Sequence, residues 1–175
     1  MCGDPLSTST ELSHMQALLT TGVAMKRMPG FRVAYVEHRG PFEEIGFGFQ
    51  RLLRLLRERR LHGTGPMIAI YPSEPSGEGD ERRSAEAAVP MSQDFQEDNE
   101  LRSRELPPGD VASLIYEGPP SKYGEAIAII RNWVENHEYA PAGPMREIYS
   151  RDLSELPPGI LYVEIQLPVR RKRRI

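Results

Sequence analysis

The sequence predicts an α+β domain made by tandem duplication of a strand–helix–strand–strand unit. Three observations carry this. Gly65-Pro66-Met67 with Ile70-Tyr71 recurs 78 residues later as Gly143-Pro144-Met145 with Ile148-Tyr149. The same offset aligns residues 33–90 with residues 111–168 without a gap, matching Ala34 with Ala112, Gly40-Pro41 with Gly118-Pro119, Gly46 with Gly124, and Glu86 with Glu164. In each copy, alternating β-prone runs flank one segment of helical periodicity. A repeat of this length marks one supersecondary unit used twice. The copies therefore predict pseudo-twofold symmetry, largely antiparallel sheets, two long helices covering one side, and a ligand cleft where the halves meet.

Taken in order, residues 1–27 read as a flexible extension, with one apolar patch at 15–19 and a second start for the ordered part at Met25-Lys26-Arg27-Met28-Pro29. The main domain spans 28–169: repeat one at 31–91, a connector at 92–108, and repeat two at 109–169. Residues 31–38 alternate and are β-prone, so they predict a strand that Gly40-Pro41 ends. Residues 42–60 place Ile45, Phe49, Leu52, Leu53 and Leu56 at helical spacing, with arginines mainly between them. Gly46 and Gly48 lower helix propensity there and permit close backbone approach. Residues 67–71 form the next strand, 73–84 an exposed Gly-, Glu- and Ser-rich loop, and 85–91 a short strand.

Residues 92–105 are polar and acidic, and the strand pattern restarts after Leu106-Pro107-Pro108-Gly109. A strand at 110–116 leads to a helix at 121–137, with Tyr123, Ile127, Ile130 and Val134 on one stripe. A second stripe, Ala126, Ile129 and Trp133, predicts a wider buried face. Strands at 145–149 and 160–168 close the domain, separated by a Pro157-Pro158-Gly159 turn. Residues 170–175 are a basic tail.

At 175 residues and 39% hydrophobic content the chain can bury a core as one domain. A net charge of −3 shows no global bias toward nucleic acid. The charge is uneven, with an acidic 74–105 against Arg51, Arg54, Arg57, Arg59, Arg60 and the tail, which reads as solvated surface. Cys2 is the single cysteine, which excludes an internal disulfide framework and fits a reducing cytoplasm. His14, His38, His62 and His137 have no metal-ligand spacing, and no phosphate-cradling or dinucleotide motif occurs, so neither metal nor cofactor is expected. No apolar run reaches bilayer length and no signal peptide is visible; the expectation is a cytoplasmic protein without membrane contact.

Duplication also separates candidate function from structure. Positions where the copies agree point to turns, core and strand ends. Positions where they differ in chemistry are candidates for a site. Ala69 against Glu147 is the sharpest difference; Leu55 against Trp133, Ile45 against Tyr123 and Tyr35 against Ser113 follow. Side chains alternate along a strand, so Met145, Glu147 and Tyr149 share a face. A carboxylate on an otherwise apolar face has its charged form disfavoured and its pKa raised. A cationic ligand would restore the charge, aromatic rings would add cation–π attraction, and Met67 and Met145 would supply deformable walls. Tyr71 and Tyr149 recur in both copies, which weights them toward structure. The same carboxylate would also suit a base that activates water, so binder and hydrolase both remain open.

His38-Arg39-Gly40-Pro41, Glu117-Gly118-Pro119, the run from Trp133 to Tyr149 and Glu164-Ile165-Gln166-Leu167-Pro168 resemble the GyrI-like family across roughly residues 28–169. That family includes effector-binding domains of AraC-type and MerR-type regulators, among them multidrug-sensing ones, and stand-alone gyrase inhibitory proteins. The resemblance implies a pocket between the halves with Glu147 at its centre and aromatic side chains around it, from Tyr35, Tyr71, Tyr123, Trp133 and Tyr149. It implies lipophilic, often cationic, aromatic ligands. It also allows a hydrolase of strained cyclopropane-containing natural products, with Glu147 catalytic, and a gyrase-modulating interaction protein. Residues 1–27 are too short for a helix-turn-helix domain, so a separate regulator or gyrase is the protein partner expected from the resemblance.

Overall fold

The two Gly-Pro-Met strands that repeat at the 78-residue offset also pair with each other, antiparallel. The computed structural model describes residues 22–41, 44–72, 84–151 and 155–173. Within them, β1 (Ala24–Met28), β2 (Phe31–Arg39), α1 (Ile45–Glu58), β3 (Met67–Tyr71) and β4 (Ser84–Pro90) make the first half. The second half is β5 (Arg102–Leu106), β6 (Gly109–Gly118), α2 (Tyr123–Asn136), β7 (Tyr139–Pro141), β8 (Met145–Tyr149) and β9 (Leu161–Arg171). Both helices and both Gly-Pro-Met strands begin and end at equivalent positions of the two repeats. The result is the predicted α+β fold, with two helices on one curled antiparallel sheet.

The strand order is β1-β6-β9-β8-β3-β4-β2-β5, with β7 on the far part of β9. Read under the repeat offset, this order is a palindrome. β3 and β8 meet at its centre, pairing Met67 with Tyr149, Ala69 with Glu147 and Tyr71 with Met145. At its ends the first strands are exchanged. β1 precedes β2 in the chain but pairs with β6 of the other half, Ala24 opposite Ser113 and Met28 opposite Gly109. β5 precedes β6 but pairs with β2, in the equivalent register.

Several boundaries differ from the sequence expectation. The supposed extension contributes residues 24–27 to a strand, the supposed connector contains β5, and Arg170 and Arg171 of the supposed tail pair with β7. Short polar strands at a sheet edge carry little alternation, so their existence depends on the neighbour they complete. Cys2, the apolar patch at 15–19 and nearly all of the 73–84 loop lie outside the described residues.

One face of the sheet carries the main core, built from Ala34, Val36, Ala69, Val163, Ile165 and Leu167 under Leu52, Leu55, Ala126, Ile130 and Val134 of the helices. Helix α1 buries Leu55 and leaves Leu53 at 48% exposure, so its buried stripe is Ile45, Gly48, Leu52, Leu55 and Leu56. Ile129 of α2 is also exposed, but Tyr123, Ile127 and Trp133 pack against the core beside the buried Ala126, Ile130 and Val134, so the buried face is wide without Ile129. Gly48 permits the close approach expected near it: a Cβ there would lie 3.1 Å from the Ala87 methyl carbon and 3.3 Å from His38 Cβ. Val33, Ile68, Ile70, Ala88, Leu106 and Ile148 form a smaller cluster on the opposite face.

Two salt bridges tie the exchanged strands to the halves they join. Lys26 of β1 reaches Glu164 of β9 at 2.5 Å, and Arg104 of β5 reaches Glu86 of β4 at 2.7 Å. These pairs are equivalent under the repeat.

Candidate functional site

Strand alternation puts Met145, Glu147 and Tyr149 of β8, and Met67, Ala69 and Tyr71 of β3, on the helix-covered face. Helix α1 packs on β2 and β4, and α2 on β6, β7 and β9. Side chains, more than helix backbone, therefore close over the central β3–β8 pair.

Glu147 lies beneath them at 3% exposure. Three tyrosine hydroxyls converge on its carboxylate. Tyr71 Oη donates to Oε1, Tyr123 Oη donates to Oε2, and Tyr149 Oη donates to Oε1 at 3.4 Å. Tyr71 and Tyr149 are repeat equivalents that approach one acid from two strands. Tyr123, at the first turn of α2, has Ile45 as its equivalent and breaks the symmetry. No described Lys, Arg or His forms an ion pair with Glu147.

Burial is the dominant influence on this group and raises its pKa above the usual carboxylate range; hydrogen bonds from Tyr123, Tyr71 and Tyr149 pull against it. The three phenols are held well above their ordinary pKa by burial first and by the Glu147 charge second, so they stay protonated and donate. The carboxylate is thus hydrogen-bonded yet lacks a counter-charge.

A ring of aromatics braces the donors. Phe49 of α1 meets Tyr149 edge-on at 5.3 Å, and Tyr116 of β6 meets Tyr123 edge-on at 5.7 Å. Tyr116 Oη in turn donates to the Pro119 carbonyl at 2.5 Å. Its equivalent His38 places Nε2 3.3 Å from the Pro41 carbonyl, so both Gly-Pro turns are tied to the strand before them. Sequence reasoning missed Phe49 and Tyr116 as members of the site. The signal was present, since Phe49 aligns with Ile127 and Tyr116 with His38 under the repeat.

Two expected members stand apart. Tyr35 is on the other face of the sheet, with Phe31 and the smaller apolar cluster, its ring 5.4 Å from the Arg102 guanidinium. The alternation of β2 that buries Ala34 and Val36 under the helices sends Tyr35 the opposite way. Trp133 lies ten residues beyond Tyr123, about 15 Å along α2. It stacks on His137 at 4.0 Å and on Tyr139 at 6.1 Å. Met67 and Met145 flank the acid on its own face, opposite Tyr149 and Tyr71. A cavity of about 280 Å³ opens beside Tyr71 and Met145, lined also by Pro72, Arg131, Pro141 and Leu167.

The GyrI-like small molecule binding domain matches residues 22–170, most of the chain. The chain belongs to the GyrI-like family. Solved structures share its fold. The C-terminal domain of EcmrR superposes with a TM-score of 0.76 at 19% identity, covering 88% of this chain and 99% of that domain. EcmrR in its DNA complex gives 0.75 at 19% identity, covering 94% of this chain but only 63% of EcmrR, so the GyrI-like chain spans less than two thirds of that regulator. A hydrolase from Listeria innocua gives 0.60 at 11% identity, covering 92% and 98%. SAV2435, solved with tetraphenylphosphonium, gives 0.56 at 12% identity, covering 86% and 94%. No curated protein sequence matches the chain. Among the described residues no helix is long and apolar enough to cross a membrane, and no group of His, Cys, Asp or Glu is placed to hold a metal ion.

Proposed function

We propose that this GyrI-like domain binds lipophilic aromatic cations, with Glu147 as the charge that receives them. One observation carries the reading: a buried carboxylate with three hydroxyl donors and no cation partner among the described residues. A bound cation would supply the missing counter-charge where burial makes electrostatic attraction strong. The rings of Tyr71, Tyr123 and Tyr149 would add cation–π contact, and Met67 and Met145 would adjust to different ligand outlines. A ligand bound to SAV2435 is a cation of this class, which agrees with the reading.

Entry requires movement, because Glu147 is sealed. Tyr123 is the natural gate. It is half-buried, it stands at the helix start, and it donates to the carboxylate from above the sheet.

Calorimetric titration with tetraphenylphosphonium tests the proposal. Wild type should bind saturably, and E147Q should bind at least tenfold more weakly. Equal affinity in E147Q would reject Glu147 as the receiving charge.

A second reading rests on the same group. A carboxylate with a raised pKa beside hydroxyl donors is suited to draw a proton from water, and hydrolysis would follow if a ligand presented an electrophilic carbon. Turnover of an electrophilic aromatic substrate that disappears in E147Q while binding persists would favour the hydrolase over the binder.

A further inference from the structure

On the face of the sheet opposite Glu147, the two halves part company at three neighbouring positions. Ile68, Ala88 and Phe31 help build the smaller apolar cluster of the first half. Their equivalents in the second half are Arg146, Gln166 and Gly109. Arg146 and Gln166 are direct partners across β8 and β9. A Cβ built on Gly109 would meet nothing within 4 Å, so the space that a ring occupies in one half is open in the other.

Arg146 is only 5% exposed, and its Nε has no hydrogen-bond partner. The Oε1 of Gln166 is the other buried side-chain atom left without one among the described residues. Glu164 acts on Arg146 electrostatically but makes no hydrogen bond to it; Lys26, Ser113 and Gln166 all donate to Glu164 Oε1. The Phe31 ring lies 5.9 Å from the Arg146 guanidinium. A buried cation without a hydrogen-bonded partner is costly, and the equivalent Ile68, 1% exposed, shows that an apolar side chain fits such a position.

Arg146 lines a cavity of about 160 Å³ together with Arg104 and with Ile70, Val111, Gly143 and Pro168. Asp110 stands on the same cavity, with its carboxylate 3.2 Å from Arg27. The volume is close to that of a cavity that admits a benzene ring. Most of the lining is apolar, and two guanidinium side chains border it, that of Arg104 paired with Glu86 and that of Arg146 without a hydrogen-bonded partner.

We infer that this cavity is a second ligand site, separate from Glu147, that takes a small organic anion. Its carboxylate or other oxyanion group would pair with Arg146, for which a planar guanidinium is well shaped. Its compact apolar body would lie against Ile70, Val111 and Pro168. The two faces of one sheet would then carry sites of opposite charge preference.

Proton–nitrogen correlation spectra of the Arg146 Nε–H and of the Gly109 and Gly143 amides test this with benzoate, benzylammonium and inorganic phosphate as probes. Benzoate should move these signals saturably, and benzylammonium, of similar shape and opposite charge, should not. In R146I the benzoate affinity should fall at least tenfold while the melting temperature stays at or above that of wild type. A response to benzylammonium equal to that of benzoate, no saturable response to benzoate, or undiminished binding in R146I would overturn the site. A phosphate response as strong as that of benzoate would overturn its apolar half. A lower melting temperature in R146I would assign Arg146 a structural role instead. The benzoate and benzylammonium comparison uses wild type alone, so it decides whether the cavity takes an anion whatever R146I reports about Arg146.

Discussion

Ala69 and Glu147 stand directly opposite each other in the β3–β8 ladder, and they are also equivalents under the 78-residue repeat. A residue paired with its own equivalent lies on the pseudo-twofold axis. Strict symmetry there would place two acids or two alanines side by side. Two buried carboxylates at that spacing repel, and two alanines carry no charge. The asymmetric pair gives one acid room at the centre of an otherwise symmetric frame.

Restoring symmetry with A69E should therefore be costly. A second, fully buried carboxylate beside the first is expected to lower unfolding free energy by about 3 kcal/mol, measured by urea denaturation. The exchange A69E/E147A should recover most of that loss, because Tyr71 and Tyr149 are symmetric donors. It should not recover cation binding fully, since Tyr123 has Ile45 as its equivalent.

The tyrosines should differ in importance. Y71F and Y123F each remove a donor to the charged carboxylate, a bond worth roughly 1.5–3 kcal/mol. Each should weaken tetraphenylphosphonium binding by about tenfold or more at neutral pH. Y149F should have the smallest effect, because its hydroxyl is 3.4 Å from the acid. Titration calorimetry on the three variants sets the order.

Glu147 also predicts a pH dependence. Its folded pKa is raised by burial above the unfolded value. Its favourable contribution is thus complete below the ordinary carboxylate range and is lost as pH rises through the raised pKa. E147Q should be more stable than wild type at high pH, with the gap closing on acidification, as thermal melts across pH would show. If Glu147 receives a cation as proposed, binding requires the ionised form, so affinity should rise with pH over the same window. Titrations in two buffers of different ionisation enthalpy should report proton release on binding.

The two salt bridges of the exchanged strands should be unequal. Arg104 holds Glu86, which is nearly buried and is raised in pKa by burial despite that arginine. R104M leaves this acid unpaired and should cost about 2 kcal/mol. Lys26 is more exposed, and the hydrogen bonds from Ser113 and Gln166 to Glu164 remain when it is removed. K26M should cost about 1 kcal/mol or less. Urea denaturation compares them, and faster amide exchange in β5 than in β1 would locate the difference.

Much of this was legible in the residues. The offset places both helices and both central strands, because turn signals and hydrophobic period are local properties. The acid was visible as a break in the repeat. The exchange of β1 and β5 was not, since each is a short polar strand that exists by completing a distant edge. Tyr35 and Trp133 looked like site residues from their own mismatches, yet the sheet face of one and the helix position of the other carry them away.

By itself, the sequence determined that two copies of one unit would fold alike and that position 147 would depart from position 69. Only the tertiary structure decided that these two positions meet on the axis, and that Tyr71 and Tyr149, whose recurrence pointed to structure, donate to one carboxylate. The reason is physical. Periodicity along a chain sets which face a side chain takes, but the pairing of β3 with β8 joins strands far apart in the chain, and the register that sets Ala69 opposite Glu147 is fixed by the burial of the whole sheet face.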